Sequence, residues 1–404
     1  MMITSRLVAC MSLGVALLAG APLVQAQLVP KDFAVRDAKS IHGVLLDEGV
    51  FLGADNAAIF SCAEVFGEVD SLLWTGRDAH AVVLGVSGAW LTAESGCHWR
   101  RTTGAVDGQR VVGYYQSSEG SDRVVFAVDD PFGGTAIIET VDGGFTSSLT
   151  GSLAVTDASF VAMAGDGGNA ALGARTDEGE LRSWWSSDGG ETFVLAEGAS
   201  VQVSEGLRHA GYASSRLWMW DDGVLIGVDA QGDVESEAPP VSTPGPVAGA
   251  DDGTLWLAAG NEGLWYRGDD GAWAQAHSEP TYRVKMAYGS LWVARSADHA
   301  GVPMVLRSDD DGVSWWPVWL SPESWDYAPT CESSLSQLCD TANIALQEAL
   351  GLQVAAEIGP TPSPPVDDEI TGCSGTRGAP SWAFLAYLCA ALFVGTRRQV
   401  PGSP

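Results

Sequence analysis

Short apolar runs separated by turn residues recur along the chain between residues 41 and 319. Each unit has the same form: an apolar run, a turn of Gly, Asp or Asn, a second apolar run and then a polar turn. The segments "RLWMWDDGVLIGVDAQG" and "TLWLAAGNEGLWYRGDDG" show it clearly. Runs of this length, joined by such turns, predict antiparallel β-hairpins.

The polar turns are regularly spaced. Their glycines are separated by 48, 46, 42, 39 and 41 residues, at Gly96, Gly144, Gly190, Gly232, Gly271 and Gly312. A period in the forties with four short strands is that of a β-propeller blade. A further copy without a polar turn, "GVFLGADNAAIFSCAEVFG", lies upstream. The chain is therefore predicted to be all-β, a propeller of seven blades, or of six if this copy completes the last blade.

Two of the polar turns follow the pattern S-x-D-x-G-x-[ST]-[FW] in full. The first uses Ser186, Asp188, Gly190, Thr192 and Phe193, and the second uses Ser308, Asp310, Gly312, Ser314 and Trp315. In such a turn a carboxylate and a hydroxyl can accept backbone N–H bonds, and Gly permits a positive φ. The closing aromatic is expected to pack between strands. These residues are therefore predicted to be structural.

This pattern resembles the Asp-box, or BNR repeat, of β-propeller proteins. The resemblance covers sialidases, which would need an arginine triad, a Tyr–Glu pair and an early Arg-Ile-Pro motif. That motif is absent, and nothing in the sequence links the candidates Arg175, Arg208, Arg283 and Tyr282. The chain resembles equally the non-enzymatic photosystem assembly factors of the same repeat class.

The N-terminus has the three parts of a signal peptide. Arg6 provides the positive charge, an apolar stretch follows, and small residues precede Gln27. Residues 1–26 are therefore predicted to be a cleaved export signal. The mature body, 27–353, would contain the propeller and a closing segment with a short helix at about 341–350, N-capped by Asp340.

The C-terminus has a different organisation. A Pro-rich acidic linker occupies 354–372, and 373–398 holds Cys373, a largely apolar run at 379–395 and the pair Arg397 and Arg398. About seventeen apolar residues approach the length needed to span a bilayer, and the arginines would stay on the cytoplasmic side. The order resembles the MYXO-CTERM sorting signal. That resemblance implies cleavage by an intramembrane sorting protease and surface anchoring through Cys373. A plain transmembrane anchor is the alternative.

Four cysteines remain in the exported body, at Cys62, Cys97, Cys331 and Cys339. An even number outside the cytoplasm predicts two disulfides, and three pairings are possible. The pairing favoured here joins Cys62 to Cys97 and Cys331 to Cys339, since each pair is near in sequence. The second bond would require that 331–339 is not one continuous helix.

Charge and composition exclude several functions. The formal net charge of −30 would repel phosphate backbones, so no nucleic-acid partner is expected. The six histidines are scattered singly, and the acidic runs lack the spacing of a calcium loop. No metal, cofactor or catalytic residue is predicted.

The sequence therefore predicts an exported, cell-surface-anchored β-propeller that acts as a non-enzymatic binding or scaffolding module. Its ligand would be a protein or a glycan, bound at the loops around the central channel. The alternative is an extracellular carbohydrate-active hydrolase, sialidase-like or of another glycosidase class. Two convergent carboxylates at the channel mouth would favour that alternative.

Overall fold

The computed structural model describes residues 28–352, except 54–58, 77–79, 93–95, 97, 119, 130–133, 154–157, 199–200, 244, 251, 269, 324–325, 328–332 and 351. These residues form seven antiparallel sheets, each built from four consecutive strands. The chain is a seven-bladed β-propeller, as the repeat spacing predicts. The upstream copy without a polar turn lies in a blade of its own, so the six-bladed alternative is wrong.

The first four blades alternate short strands and tight turns. Blade 1 is β1 (Pro30–Asp37), β2 (Ser40–Leu46), β3 (Gly49–Leu52) and β4 (Ile59–Cys62), followed by a 3-10 turn at Ala63–Val65. Blade 2 is β5 (Val69–Trp74), β6 (Ala81–Gly85), β7 (Gly88–Thr92) and β8 (Trp99–Arg101). Blade 3 is β10 (Val111–Gln116), β11 (Val124–Asp129), β12 (Thr135–Thr140) and β13 (Thr146–Leu153), with β9 (Thr103–Gly104) parallel to β13. Blade 4 is β14 (Ala158–Asp166), β15 (Asn169–Thr176), β16 (Glu180–Ser186) and β17 (Val194–Leu195), with β18 (Val201–Gln202) beside β16.

The remaining blades repeat the plan. Blade 5 is β19 (Arg208–Ala213), β20 (Arg216–Asp221), β21 (Val224–Asp229) and β22 (Val234–Glu237). Blade 6 is β23 (Val247–Gly249), β24 (Leu255–Ala258), β25 (Leu264–Arg267) and β26 (Trp273–His277). Blade 7 is β27 (Thr281–Ala287), β28 (Ser290–Arg295), β29 (Pro303–Ser308) and β30 (Trp316–Leu320). β31 (Asp326–Tyr327) and one helix, α1 (Ser333–Ala349), follow the ring.

The hydrophobic core is divided among the contacts between blades. The buried side chains of the described residues form seven clusters, one at each interface between neighbouring blades. Phe126 and Val82, for example, pack between blades 2 and 3, and Trp218 and Leu257 pack between blades 5 and 6. The second and third strands of most blades are buried along nearly their whole length, which explains why they read as continuous apolar runs.

The innermost strands approach one another closely. A Cβ built at Gly211 of β19 would lie 2.2 Å from the carbonyl oxygen of Val247 in β23. A Cβ at Gly113 of β10 would lie 2.4 Å from the backbone nitrogen of Met163 in β14. Only glycine fits at such contacts, so small residues on the first strands set the diameter of the ring.

Neither blade at the closure of the ring mixes strands from the two ends among its four consecutive strands. Blade 1 comes entirely from the N-terminal part of the ring and blade 7 entirely from the C-terminal part. The closing segment instead clasps blade 1 from outside, where β31 pairs in parallel with β4 at Asp326–Ile59 and Tyr327–Phe60. α1 then packs against β4 and the 3-10 turn, and Leu346 and Leu350 enter the cluster between blades 1 and 7.

The cysteine pairing predicted from the sequence is wrong. Cys62, the last residue of β4, is bonded to Cys339 in α1, with their Cα atoms 5.4 Å apart. The prediction preferred cysteines near in sequence, whereas ring closure brings together residues that are 277 positions apart. Cys97 and Cys331 lie outside the described residues. If all four cysteines pair, as the sequence predicts, Cys97 and Cys331 form the second bond, and this pairing is a new prediction.

The helix also begins earlier than predicted. α1 starts at Ser333, so Asp340 lies within it and is not its N-cap. The buried positions run through Cys339, Asn343, Leu346 and Leu350, whereas Ile344 is 44% exposed. The buried helical stripe therefore includes a cysteine and an asparagine, which an apolar pattern alone does not reveal.

The predicted sorting segments fall outside the described residues. These are the signal at 1–26, most of the linker, and the segment with Cys373, Arg397 and Arg398. The ring lies in Met1–Val354, the first of two units into which the chain divides; the second, Ala355–Pro404, contains no described residue. Among the described residues, no helix is long and apolar enough to cross a membrane.

The disulfide between β4 and α1 leads to a prediction about stability. Cys339→Ser should lower the free energy of unfolding by about 2–5 kcal/mol, because the disulfide no longer restricts the unfolded chain. Guanidinium denaturation of the oxidised protein would measure the change. Reduced wild-type protein is the matched control and should unfold at the same denaturant concentration as reduced Cys339→Ser. Equal midpoints for the oxidised wild type and the variant would contradict the prediction.

Candidate functional site

The inner strands enclose a central channel with a cavity of about 1240 Å³. Its wall contains the unbroken runs 110–116, 208–215, 245–250 and 283–289. Side chains of a strand alternate between faces, so an unbroken run means that the strand presents its edge to the cavity. Each of these strands pairs with its own blade on one side only. The channel wall is therefore largely strand edge.

All seven inner strands begin at the same end of the channel, because four antiparallel strands return the chain to its starting side. Arg208 opens β19, Arg110 directly precedes β10, and Arg283 is the third residue of β27. These side chains therefore lie at one end, which we call the entry mouth. The turns after each third strand, including both complete polar turns, lie at the opposite end.

The entry mouth has two walls of different charge. The lining residues of blades 5–7 include Arg208, Arg283 and Lys285, and no carboxylate. The lining residues of blades 1–4 carry one cation and four carboxylates, at Arg110, Asp32, Asp70, Asp129 and Asp177. We call the first the cationic wall and the second the acidic wall. In a chain of net charge −30, a wall free of carboxylates is a local reversal of the overall charge.

The two walls meet at the closure of the ring, where blade 7 faces blade 1. Lys285 Nζ lies 2.8 Å from Asp32 Oδ1 and donates to the carbonyl of Phe33 at 2.6 Å. Asp32 Oδ2 accepts from the backbone N–H of Leu72 in β5 at 3.0 Å. One buried carboxylate thus connects the inner strands of blades 7, 1 and 2. Fully engaged in this way, Asp32 is a structural residue.

Two further side chains, one in β27 and one directly after it, reach the backbone of β1. Arg283 Nε donates to the carbonyl of Lys31, and Tyr288 Oη donates to the carbonyl of Arg36 at 3.0 Å. β27 therefore holds β1 by a series of side-chain donors along the channel. Since Arg283 is fixed by its Nε, the terminal nitrogens of its guanidinium group remain available at the mouth.

Arg208 differs from its neighbours on the wall. Its side chain is exposed to the channel, and no hydrogen bond or ion pair holds it within the part of the chain described. His209, beside it, is open to the channel although wall atoms surround it. Desolvation by these atoms, and secondarily the charge of Arg283, lower the pKa of His209. The imidazole is therefore neutral near pH 7 and can donate or accept a hydrogen bond.

The complete polar turns have the same internal hydrogen bonds. In blade 4, Ser186 Oγ donates to Asp188 Oδ1 at 2.6 Å and accepts from the N–H of Gly190 at 2.7 Å. Thr192 donates to Asp188 through its N–H at 2.9 Å and its hydroxyl at 2.5 Å. In blade 7, Ser308, Asp310, Gly312 and Ser314 repeat these contacts. The hydroxyl donors hold the pKa of Asp188 well below its usual range, and Ser314 lowers that of Asp310.

A third turn, in blade 3, has the same bonds although its sequence is weaker. Thr140 donates to Asp142 at 2.9 Å, and Thr146 donates to the same carboxylate through its hydroxyl at 2.6 Å. Burial alone would raise the pKa of Asp142, but the bonds from Thr146 and Thr140 outweigh it and lower the pKa. Threonine replaces serine here without loss of the geometry.

The glycines of these turns also contact the preceding blade. A Cβ at Gly190 would meet Val125 of blade 3, one at Gly144 would meet Val82 of blade 2, and one at Gly312 would meet Trp256 of blade 6. The closing aromatics Phe193 and Trp315 pack against the same interfaces. The polar turns therefore connect neighbouring blades as well as successive strands.

The structure brings together only some of the arginines considered for a carboxylate site. Arg208 and Arg283 share the cationic wall, whereas Arg175 donates to the carbonyl of Val203 and does not line the channel. Tyr282 also lies off the channel, where its hydroxyl donates to Asn261. Sequence reasoning missed Asp32 and Lys285, whose partnership depends on ring closure. The described residues contain no group of three or more His, Cys, Asp or Glu that could hold a metal ion.

Comparisons with solved structures find other propellers. The GH74 enzyme of Niastella koreensis is 15% identical, with a TM-score of 0.42, over 64% of this chain and 46% of that one. YCF48 bound to D1 peptide is 17% identical, with a TM-score of 0.40, over 60% and 80%. Sqt1 of Saccharomyces cerevisiae is 10% identical, with a TM-score of 0.45, over 72% and 85%. The likeness is one of fold.

The matches cover less than half of the two GH74 enzymes, at 46% and 41% of their lengths. No protein-family model matches the chain, and no curated protein matches it.

The turn glycines offer a matched pair of substitutions. Gly312 has φ +80° and its Cβ would lie 2.9 Å from the Trp256 ring, whereas Gly271 has φ +72° and open space around it. Alanine at either position costs about 1–2 kcal/mol in backbone strain. Gly312→Ala should lower the free energy of unfolding by about 1–3 kcal/mol more than Gly271→Ala, through overpacking of the interface. Denaturant unfolding would measure both, and equal losses would show that the contact with blade 6 carries no weight.

Proposed function

We propose that this chain is an exported, surface-anchored binding module, an Asp-box propeller that recognises its ligand in the central channel. The observation that carries the proposal is the large open channel walled by strand edges, with charged side chains gathered at the entry mouth. Such a cavity offers backbone donors and acceptors together with arginine side chains, which suits recognition of an extended ligand.

The buried carboxylate of the channel wall, Asp32, is held in a structural contact, which supports binding over hydrolysis. A glycosidase needs two cooperating carboxyl groups, one of them kept protonated by its surroundings. Asp32 is committed to Lys285 and the Leu72 N–H, so it serves neither role. Burial raises the pKa of Glu48, as a general acid requires, but Glu48 lies in the β2–β3 turn and does not line the channel.

The polar turns support the Asp-box assignment. Three of them share one hydrogen-bond pattern, and their aromatic and glycine positions serve the interfaces between blades. They lie at the end opposite the entry mouth. On this proposal the repeats build the ring, and ligand recognition belongs to the inner strands.

A screen of the full chain, purified oxidised in detergent, tests the binding role. Glycan and peptide arrays would report binding, and a panel of glycosides would report turnover. We expect binding without turnover, and reduced binding when Arg208→Gln alters the channel. Turnover of any glycoside by the wild type, lost in Asp129→Asn or Asp177→Asn, would replace the module with a hydrolase.

The sorting proposal has its own test. In the producing cells, protease applied from outside should release the propeller, and Cys373→Ala should shift the protein away from the surface fraction. Ser374→Ala is the neighbouring control and should leave the distribution unchanged. If Cys373→Ala stays at the surface as firmly as the wild type, a plain transmembrane anchor replaces the cysteine-dependent signal.

A further inference from the structure

The cationic wall of the channel combines two features that suit one kind of ligand. Its inner strands, β19, β23 and β27, each pair with a single neighbour inside their own blade. Apart from Thr281, whose N–H donates to the carbonyl of Gly260, the second edge of these strands has no strand partner among the described residues. Free strand edges are the surface on which an extended peptide docks by main-chain hydrogen bonds.

The charges of this wall define the side chains that such a peptide would carry. Lys285 is neutralised by Asp32, so the wall offers two guanidinium groups, Arg208 and the outer nitrogens of Arg283. A guanidinium pairs with a carboxylate through two parallel N–H···O bonds, a geometry that an ammonium cannot supply. Neutral His209 adds one further polar group beside Arg208. The wall therefore favours carboxylates over neutral or cationic side chains.

We propose that the cationic wall binds an acidic peptide in extended conformation, with its carboxylates on Arg208 and Arg283 and its main chain along the inner strand edges. The inference rests on the proposed binding function and specifies its ligand. A peptide is favoured over an acidic glycan because a sugar chain has no repeat of N–H and C=O groups to match the strand edges.

The size of the cavity agrees with this ligand. A volume of about 1240 Å³ exceeds the usual range for small-molecule pockets, which is roughly 300–1000 Å³. An inner strand of six residues spans about 20 Å, so a peptide of six to eight residues would follow its whole edge. Glutamate at every second position would place all carboxylates on one face of such a peptide.

Fluorescence anisotropy with a labelled Ser-Glu repeat of eight residues, acetylated and amidated, tests the proposal on the full chain. The matched Ser-Gln repeat has the same length and no charge. Measurements at about 0.15 M salt screen the overall negative charge beyond about 8 Å, so that contacts in the channel decide the affinity. We expect saturable binding of the Ser-Glu peptide and at least tenfold weaker binding of the Ser-Gln peptide.

Variants locate the site. Arg208→Gln should weaken Ser-Glu binding at least tenfold, and Arg208→Lys should weaken it less, because charge is kept and the paired bonds are lost. Arg182→Gln, an exposed arginine of β16 outside the channel, changes the net charge equally and should leave the affinity unchanged. Since Arg208 has no partner in the described structure, its replacement should not alter the unfolding midpoint.

The inference is overturned if the Ser-Glu peptide does not bind, if the wild type and Arg208→Gln bind it with equal affinity, or if an oligogalacturonate displaces the labelled peptide and the unlabelled Ser-Glu peptide does not. The last would assign the wall to acidic glycans. A neutral ligand from the array screen that binds in the channel would refute the acidic peptide and leave the proposed function standing. Glycoside turnover would refute the proposed function, whereas arginine-dependent peptide binding would still identify the wall as a peptide site.

Discussion

Closure of the ring is the constraint on which this structure depends. Seven blades bury their apolar faces only against one another, so the first blade must meet the last or two hydrophobic faces stay in water. Here each blade takes its four strands from one stretch of the chain, and β31 of the closing segment pairs with β4 of blade 1. Side-chain donors on β27 and directly after it hold β1 along the channel, and the helix with its disulfide holds β4 at the outer edge. Both sets of contacts stabilise the closure between blades 7 and 1, one at the channel and the other at the outer edge.

The ion pair between Lys285 and Asp32 removes two charged residues of the channel wall from ligand binding. Lys285 and Asp32 neutralise each other, and removal of either partner would leave a largely buried charge alone, which costs about 3–5 kcal/mol. The closure residues are therefore committed to structure, although they lie on the cavity wall. Arg208 lies in blade 5, two blades away from blade 7 of the closure, and has no such duty. Because Arg208 makes no contact that holds the ring closed, it is a better candidate for ligand recognition than Arg283, which is bonded to β1.

Much of the fold could be predicted because its signals are local. A turn pattern repeated at a regular interval, and apolar runs of strand length, define blades whatever happens elsewhere in the chain. Ring closure is not local: nothing near Cys62 in the sequence points to Cys339, so preference for nearby partners gave the wrong disulfide. The same holds at the channel. Arg208 and Arg283 were noted as separate arginines, and only the parallel arrangement of β19 and β27 places them on one wall.

The two complete polar turns differ from the turn at Gly271 in what their glycines touch. Where the preceding blade presses on the turn, as at Gly190 and Gly312, the hydrogen bonds that keep the turn narrow are all present. At Gly271 nothing lies within 4 Å, and the turn has lost most of the pattern. A carboxylate and a hydroxyl in these turns thus hold the backbone in a shape that lets two blades meet. The turns lie at the end of the ring that serves assembly, and the charged channel residues lie at the other end.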